Sequence, residues 1–260
     1  MAESEDEVEF WNQEAKKTRA IIQRGTKESL RRDILTNSYW WEESQSKMKN
    51  KVILDIGCGT TDHTAYWELT GNETYGIDIS LEQIRNEVML HQKIGVNGRF
   101  IVSSFTNMPF QDSLFDVLSM HWVFHHIPKT QLSQSLQDAH RILKKNGIFL
   151  LYENNYFYPF RWIVQTNFLA PINFLRKIAI KKRLLDPREK AYSNREYLNL
   201  LEKNGFRIRK VDFSNDFLIY PPTLLFQNKK LLQIISRIDL MLKHIIPTVL
   251  KDGVSIIARK

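Results

Sequence analysis

The 260-residue chain has one cysteine, Cys58, so it can form no internal disulfide and no multi-cysteine metal site. It has no run of about 18 apolar residues free of charge, which leaves no transmembrane helix to expect, and its first residues, Met1-Ala-Glu-Ser-Glu-Asp-Glu7, are acidic rather than basic, unlike a signal peptide. The expectation is therefore a cytoplasmic protein. Glycine is scarce, at 10 residues, and two of those stand together in Gly57-Cys58-Gly59. A third glycine does not follow: positions 61 and 62 are Thr and Asp, so the pattern for a dinucleotide pyrophosphate fails, and no Lys-Ser/Thr pair makes a phosphate-binding P-loop.

What is present is organised around Lys51-Val-Ile-Leu-Asp-Ile-Gly-Cys-Gly-Thr60. A β-branched apolar run reads as a buried strand, and the glycines that end it let a ligand approach the backbone. Asp55 adds an acceptor for an ammonium group or a backbone N–H. A second short strand, Tyr75-Gly-Ile-Asp-Ile79, places Asp78 about 20 positions after the loop, where a carboxylate can hold the vicinal hydroxyls of a ribose. Together these features read as a nucleoside site.

Beyond them, strand and helix patterns alternate. A helix is expected over 61–70, a second from Leu81 to Lys93 capped by Ser80 and ended by Gly95, a strand over 100–103, and another from Phe115 to Met120. A helix from Lys129 to Lys144 closed by Asn146-Gly147, a strand over 148–152, a helix opened by the capping box Ser193-Asn-Arg-Glu196, and strands over 206–213 and 254–258 complete the series. Alternation of this kind calls for a doubly wound α/β domain with right-handed crossovers. Residues 1–48, with apolar residues at loosely helical spacing, form a helical N-terminal extension before the domain at 49–260. Two segments, at about 156–192 and 214–250, break the pattern as insertions. The first is aromatic with a basic flank that includes Lys181, Lys182 and Arg183; the second mixes apolar residues with Lys229, Lys230, Arg237 and Lys243.

The stretch from Val52 to Thr60 resembles the first motif of the class I S-adenosylmethionine (SAM)-dependent methyltransferases, and Gly76-Ile-Asp78 resembles their second. Met108-Pro-Phe110 and Phe115-Asp-Val117 are similar to a later family stretch. The resemblance implies a mostly parallel seven-stranded sheet with an antiparallel last strand, and SAM as cofactor. It implies cofactor contacts at Asp55, Gly57, Cys58 and Gly59, at Asp78 and Ile79, at Ser104 and Phe105, and at His121. Ser104 falls where many members carry an aspartate for the adenine amino group, and Phe105 can lie against the adenine ring. The only thiol, Cys58, reads otherwise as a small apolar loop residue.

After the fourth strand comes His121-Trp-Val-Phe-His125-His126. His121 and His125 would share a face if this were a helix, but no glutamate completes a zinc-type pattern, so no metal is expected. His125 and His126 are candidate general bases, as is Glu153 at the end of the fifth strand, although packing or turn formation would explain each equally. The acceptor is expected to be a small or lipid-linked metabolite methylated on oxygen or nitrogen. A quinone-type carbon acceptor and a non-catalytic SAM-fold module are the alternatives. The formal charge of +8 admits anionic partners and contact with a membrane surface. Nucleic acid is not expected, because no Asn/Asp-Pro-Pro-aromatic sequence follows the fourth strand. Oligomeric state is left open.

Overall fold

The computed structural model describes residues 5–37, 48–59, 62–155, 192–213 and 253–260. Thr60 and Thr61, the aromatic cluster Tyr39-Trp40-Trp41, and the two insertions apart from Tyr192 lie outside them. Described helices are α1 (Glu5–Arg24), α2 (Lys27–Asn37), α3 (His63–Leu69), α4 (Leu81–Ile94), α5 (Lys129–Ile142) and α6 (Asn194–Lys203). Strands are β1 (Val52–Ile56), β2 (Glu73–Asp78), β3 (Arg99–Val102), β4 (Phe115–His121), β5 (Leu143–Asn154), β6 (Arg207–Phe213) and β7 (Gly253–Arg259). They form a seven-stranded sheet of order β3-β2-β1-β4-β5-β7-β6, with β7 antiparallel. This is the expected doubly wound fold. No helix among the described residues is long and apolar enough to cross a membrane.

By contacts the chain divides into two units. One comprises 1–121, 133–150 and 259–260; the other comprises 122–132 and 151–258. In the first, β1 lies between β2 and β4, parallel to both, with Asp55 in register with Gly76 and Ser119. A strand flanked in this way is covered on both faces, which is why Val52-Ile-Leu is continuously apolar rather than alternating. Ile53, Leu54, Ile77, Leu118 and Met120 are fully buried there, as is Trp67 of α3. In the second unit the Phe124 ring packs edge-on against Tyr192 and Tyr197, which are tilted against each other, with centroids 5.4–5.7 Å apart. The Tyr192 hydroxyl donates to the Ile127 carbonyl at 3.0 Å.

Local signals set most boundaries. Ser80 caps α4 by accepting from the Gln83 N–H, and Gly95 closes it at φ 72°, a left-handed conformation that suits glycine. Ser193 and Glu196 form the capping box of α6. Two details depart from expectation. Helix α5 stops at Ile142 and β5 begins at Leu143, because the chain end pairs with this segment: the Lys260 N–H donates to the Gly147 carbonyl at 3.0 Å and its ammonium to the Leu143 carbonyl at 2.7 Å. Asn146, expected to end the helix, instead sits within the strand at φ 64°. Asp62 occupies the N-cap position of α3 but is left-handed, with φ 63°, and its side chain makes no capping bond.

The N-terminal helices dock on α4. Arg19 bonds Asn86 and Glu82, Asn86 donates to the Ala15 carbonyl at 2.7 Å, and Lys93 donates to the carbonyls of Ile22 and Gln23. Ala15, Ile22 and Ile34 are buried.

Gly76 shows how tightly the first unit is packed. A Cβ there would stand 2.7 Å from Phe100 Cδ1 and 2.8 Å from Cys58 Sγ. Gly76→Ala is expected to lower stability by roughly 1–3 kcal/mol, the usual cost of overpacking, as a fall in melting temperature.

Candidate functional site

In the first unit the loop after β1 is held from below. Gly57 and Gly59 take φ of 70° and 47°, which a side chain would strain. The N–H groups of Gly57 and Cys58 both donate to the Ile77 carbonyl, at 2.8 and 3.0 Å. Asp78 supplies the third tie, its Oδ2 accepting from the Gly59 N–H at 2.9 Å while Oδ1 accepts from the Ser80 N–H at 2.8 Å. The two motifs that looked separate in sequence are thus one hydrogen-bonded object. Carboxylate oxygens have about four lone-pair sites between them, so Asp78 keeps acceptor capacity for hydroxyl donors beyond these bonds. Burial pushes its pKa up to about 6, against the opposing bonds from Ser80 and Gly59.

The other expected cofactor residues divide into backbone and side-chain contributors. Cys58 is buried, and burial, reinforced by the carboxylates around it, raises its thiol well above the ordinary range. It is therefore an inert packing residue against Gly76, and what it can offer a ligand is backbone. Asp55 is buried too, and burial raises its pKa to about 8, with the Ser119 hydroxyl opposing and Asp78 reinforcing the shift. Burial thus favours its protonated form, which can donate. Ile79 is half-buried beside Asp78. Ser104 sits in a tight turn, its Oγ accepting from the Thr106 N–H at 2.9 Å and lying 2.6 Å from the Thr106 hydroxyl, while Phe105 is buried in the core.

His121 ends β4 with its ring 4.5 Å from that of His63, and burial lowers its pKa to about 4. It shares no helix with His125, which lies instead in a short 3-10 turn, Phe124–His126. His63 was not foreseen as a site residue; its Nδ1 is 3.9 Å from Asp55 Oδ2, and burial holds the imidazole well below its ordinary range. Glu87 was missed as well. It is fully buried on α4, accepts from the Thr64 hydroxyl, and is raised well above the carboxylate range by burial. A signal was there, since Ile84, Glu87, His91 and Ile94 repeat at helical spacing and all four are buried.

In the second unit Glu153, His125 and His126 come together. Glu153 is fully buried near the end of β5. Its Oε1 accepts from the N–H groups of Val123 and Phe124 at 3.0 and 2.7 Å, and its Oε2 lies 2.6 Å from His125 Nδ1. That contact gives Nδ1 of the His125 ring a carboxylate partner and fixes the orientation of the imidazole. The His126 ring lies 4.2 Å from that of His125. Just ahead of the turn, Trp122 adopts φ 55°, is 47% exposed, and donates its N–H to the Tyr152 carbonyl at 2.9 Å. A left-handed tryptophan is a local strain held in place by this bonded turn.

Two measurements check these environments. Glu153→Ala leaves two backbone N–H groups and an imidazole without their acceptor and is expected to cost about 2–5 kcal/mol in chemical denaturation. Asp55 gives a pH signature. A folded pKa of about 8 against an ordinary aspartate value of 3.8 means its stabilising contribution is full below the lower value and lost as pH rises through the upper. Asp55→Asn is therefore expected to gain stability relative to the parent as pH rises across that window.

Comparison with known proteins bears on the fold and on residues 54–151. Residues 54–151 match the methyltransferase domain family. A demethylmenaquinone methyltransferase from Geobacillus sp. is 28% identical over 142 residues, 48% of this chain and 60% of that protein. The sterol 24-C-methyltransferase of Eremothecium gossypii is 25% identical over 186 residues, 70% of this chain and 47% of that one. The chain thus spans about half to three-fifths of the length of these curated relatives. Among solved structures, a SAM-dependent methyltransferase from Mesorhizobium loti shares the fold with a TM-score of 0.55 at 14% identity, covering 82% of this chain and 92% of that one. Residues 54–151 thus resemble a methyltransferase domain, and the fold is one shared with SAM-dependent methyltransferases.

Proposed function

We propose that this protein is a SAM-dependent methyltransferase that acts on an oxygen or nitrogen of a small or lipid-linked metabolite. The observation that carries the reading is the joined loop and carboxylate: Gly59 and Asp78 are bonded to each other, 19 positions apart, at the carboxyl ends of adjacent parallel strands. In an open α/β sheet that end is where ligands bind. The donor set fits SAM. Side-chain-free backbone at Gly57 and Gly59 allows close approach, Asp78 can accept from the ribose hydroxyls, and Asp55 can meet a cation by giving up its proton.

When bound, SAM supplies a methyl group on a sulfonium, already a strong electrophile, so the residues of the protein have to position the acceptor and take its proton. We assign the proton to His125. Its Nδ1 is committed to Glu153, which orients the ring and stabilises the imidazolium that forms when Nε2 takes a proton. Glu153 itself is occupied by two backbone N–H groups and the imidazole, so it serves as a positioning residue rather than the base. His126 is assigned to shaping the wall beside His125.

A carbon acceptor on a lipid-soluble substrate is the second reading, favoured by the relatives named for demethylmenaquinone and sterol methylation. The basic insertions are in keeping with either kind of substrate, and contact with a membrane surface belongs to the same proposal.

Calorimetric titration with SAM and with S-adenosylhomocysteine tests the cofactor site. Both are expected to bind, Asp78→Ala to abolish binding, and affinity to strengthen as pH rises through about 6, where Asp78 ionises and becomes a pure acceptor. Absence of binding to the parent protein would sink the reading. Once an acceptor is found, Glu153→Gln, which keeps the shape but turns an N–H toward His125, is expected to lower kcat on the order of a hundredfold with little change in cofactor affinity.

A further inference from the structure

The geometry points to Asn12, on the N-terminal helix, as a positioning residue for the cofactor carboxylate Asp78, acting through Ser80. This rests on the reading of Asp78 as the ribose-binding acid.

The chain of contacts is short and continuous. Asp78 Oδ1 accepts from the Ser80 N–H at 2.8 Å. Ser80 is fully buried, and its hydroxyl has two duties: it accepts from the Gln83 N–H at 3.1 Å as the cap of α4, and it donates to Asn12 Oδ1 at 2.7 Å. Asn12 Oδ1 also lies 3.4 Å from the Glu82 N–H, another of the amides at the start of α4 with no partner inside the helix. A serine hydroxyl has one proton, and with Asn12 in place that proton is committed away from the helix. The lone pairs then face the Gln83 N–H and hold the cap in one rotamer. Without Asn12 the hydroxyl can rotate, and the residue whose N–H fixes Asp78 loses its anchor. Asp78 in turn holds the Gly59 N–H, so a contact on α1 sets the order of the glycine loop.

The rest of the α1 interface does not do this. Arg19 bonds the Glu82 side chain in the first turn of α4 and Asn86 one turn on, Lys93 bonds the Ile22 and Gln23 carbonyls farther along, and neither touches Ser80 or Asp78. Docking of α1 and binding of the ribose are therefore linked through Asn12, and by reciprocity a bound cofactor tightens the docking of α1.

The test compares Asn12→Ala, Asn12→Asp and Arg19→Ala with the parent in two readouts. Amide hydrogen exchange in the cofactor-free protein is expected to speed up at Ser80 and Gly59 in Asn12→Ala alone. Calorimetric Kd values for SAM and S-adenosylhomocysteine are expected to rise roughly fivefold in Asn12→Ala, the worth of about one net hydrogen bond. Asn12→Asp keeps the acceptor and is expected to restore both readouts, whereas Arg19→Ala, which loosens the helix without touching Ser80, is expected to leave them at parent values. Equal effects from Asn12→Ala and Arg19→Ala would overturn the inference, since Asn12 would then only dock the helix, as would parent-like exchange in Asn12→Ala. If the parent protein bound neither nucleoside, the cofactor reading would fail together with the inference, whereas normal binding with unchanged exchange in Asn12→Ala would remove the inference alone.

Discussion

One carboxylate ties together the first unit. Asp78 ends β2, and its two oxygens hold the glycine loop after β1 and the first turn of α4 through the N–H groups of Gly59 and Ser80. Both donors are backbone groups that a ligand-binding loop and a helix start would otherwise leave to water. The same bonds that build the corner keep the carboxylate oriented, which preorganises it for any donor it accepts. Burial works against this by raising the pKa to about 6, which leaves the group ionised at neutral pH with a narrow margin.

Glu153 plays the equivalent part in the second unit. It gathers the Val123 and Phe124 amides and the His125 imidazole around one buried carboxylate, and so turns an irregular stretch after β4 into a fixed turn. The strain at Trp122 is borne within that turn. A buried acid with three donors serves structure first, and any chemistry passes through the histidine it orients.

Much of the architecture was legible in the chain. The continuous apolar run before Gly57 marked a strand covered on both faces, Ser80 and Gly95 marked the ends of α4, and Ser193 with Glu196 marked the start of α6; each is a local cause with a local effect. The end of α5 was not legible. Asn146-Gly147 is a fair stop signal, but the segment from Leu143 takes its partner from the far end of the chain at Lys260, a contact no local pattern records.

The sequence by itself determined which groups meet: two glycines at a strand end and an acid after the next strand carry the nucleoside reading, because backbone freedom and acceptor chemistry belong to residue types and spacing. Tertiary structure decided what each residue does there. It made Cys58 a packing atom against Gly76, pushed Asp55 toward its protonated form by burial, bound Glu153 to the turn that carries His125, and made Asn12 a neighbour of Ser80 across 68 positions. These roles follow from burial and from partners distant in sequence, since a titratable or hydrogen-bonding group takes its charge and its orientation from what surrounds it in the fold.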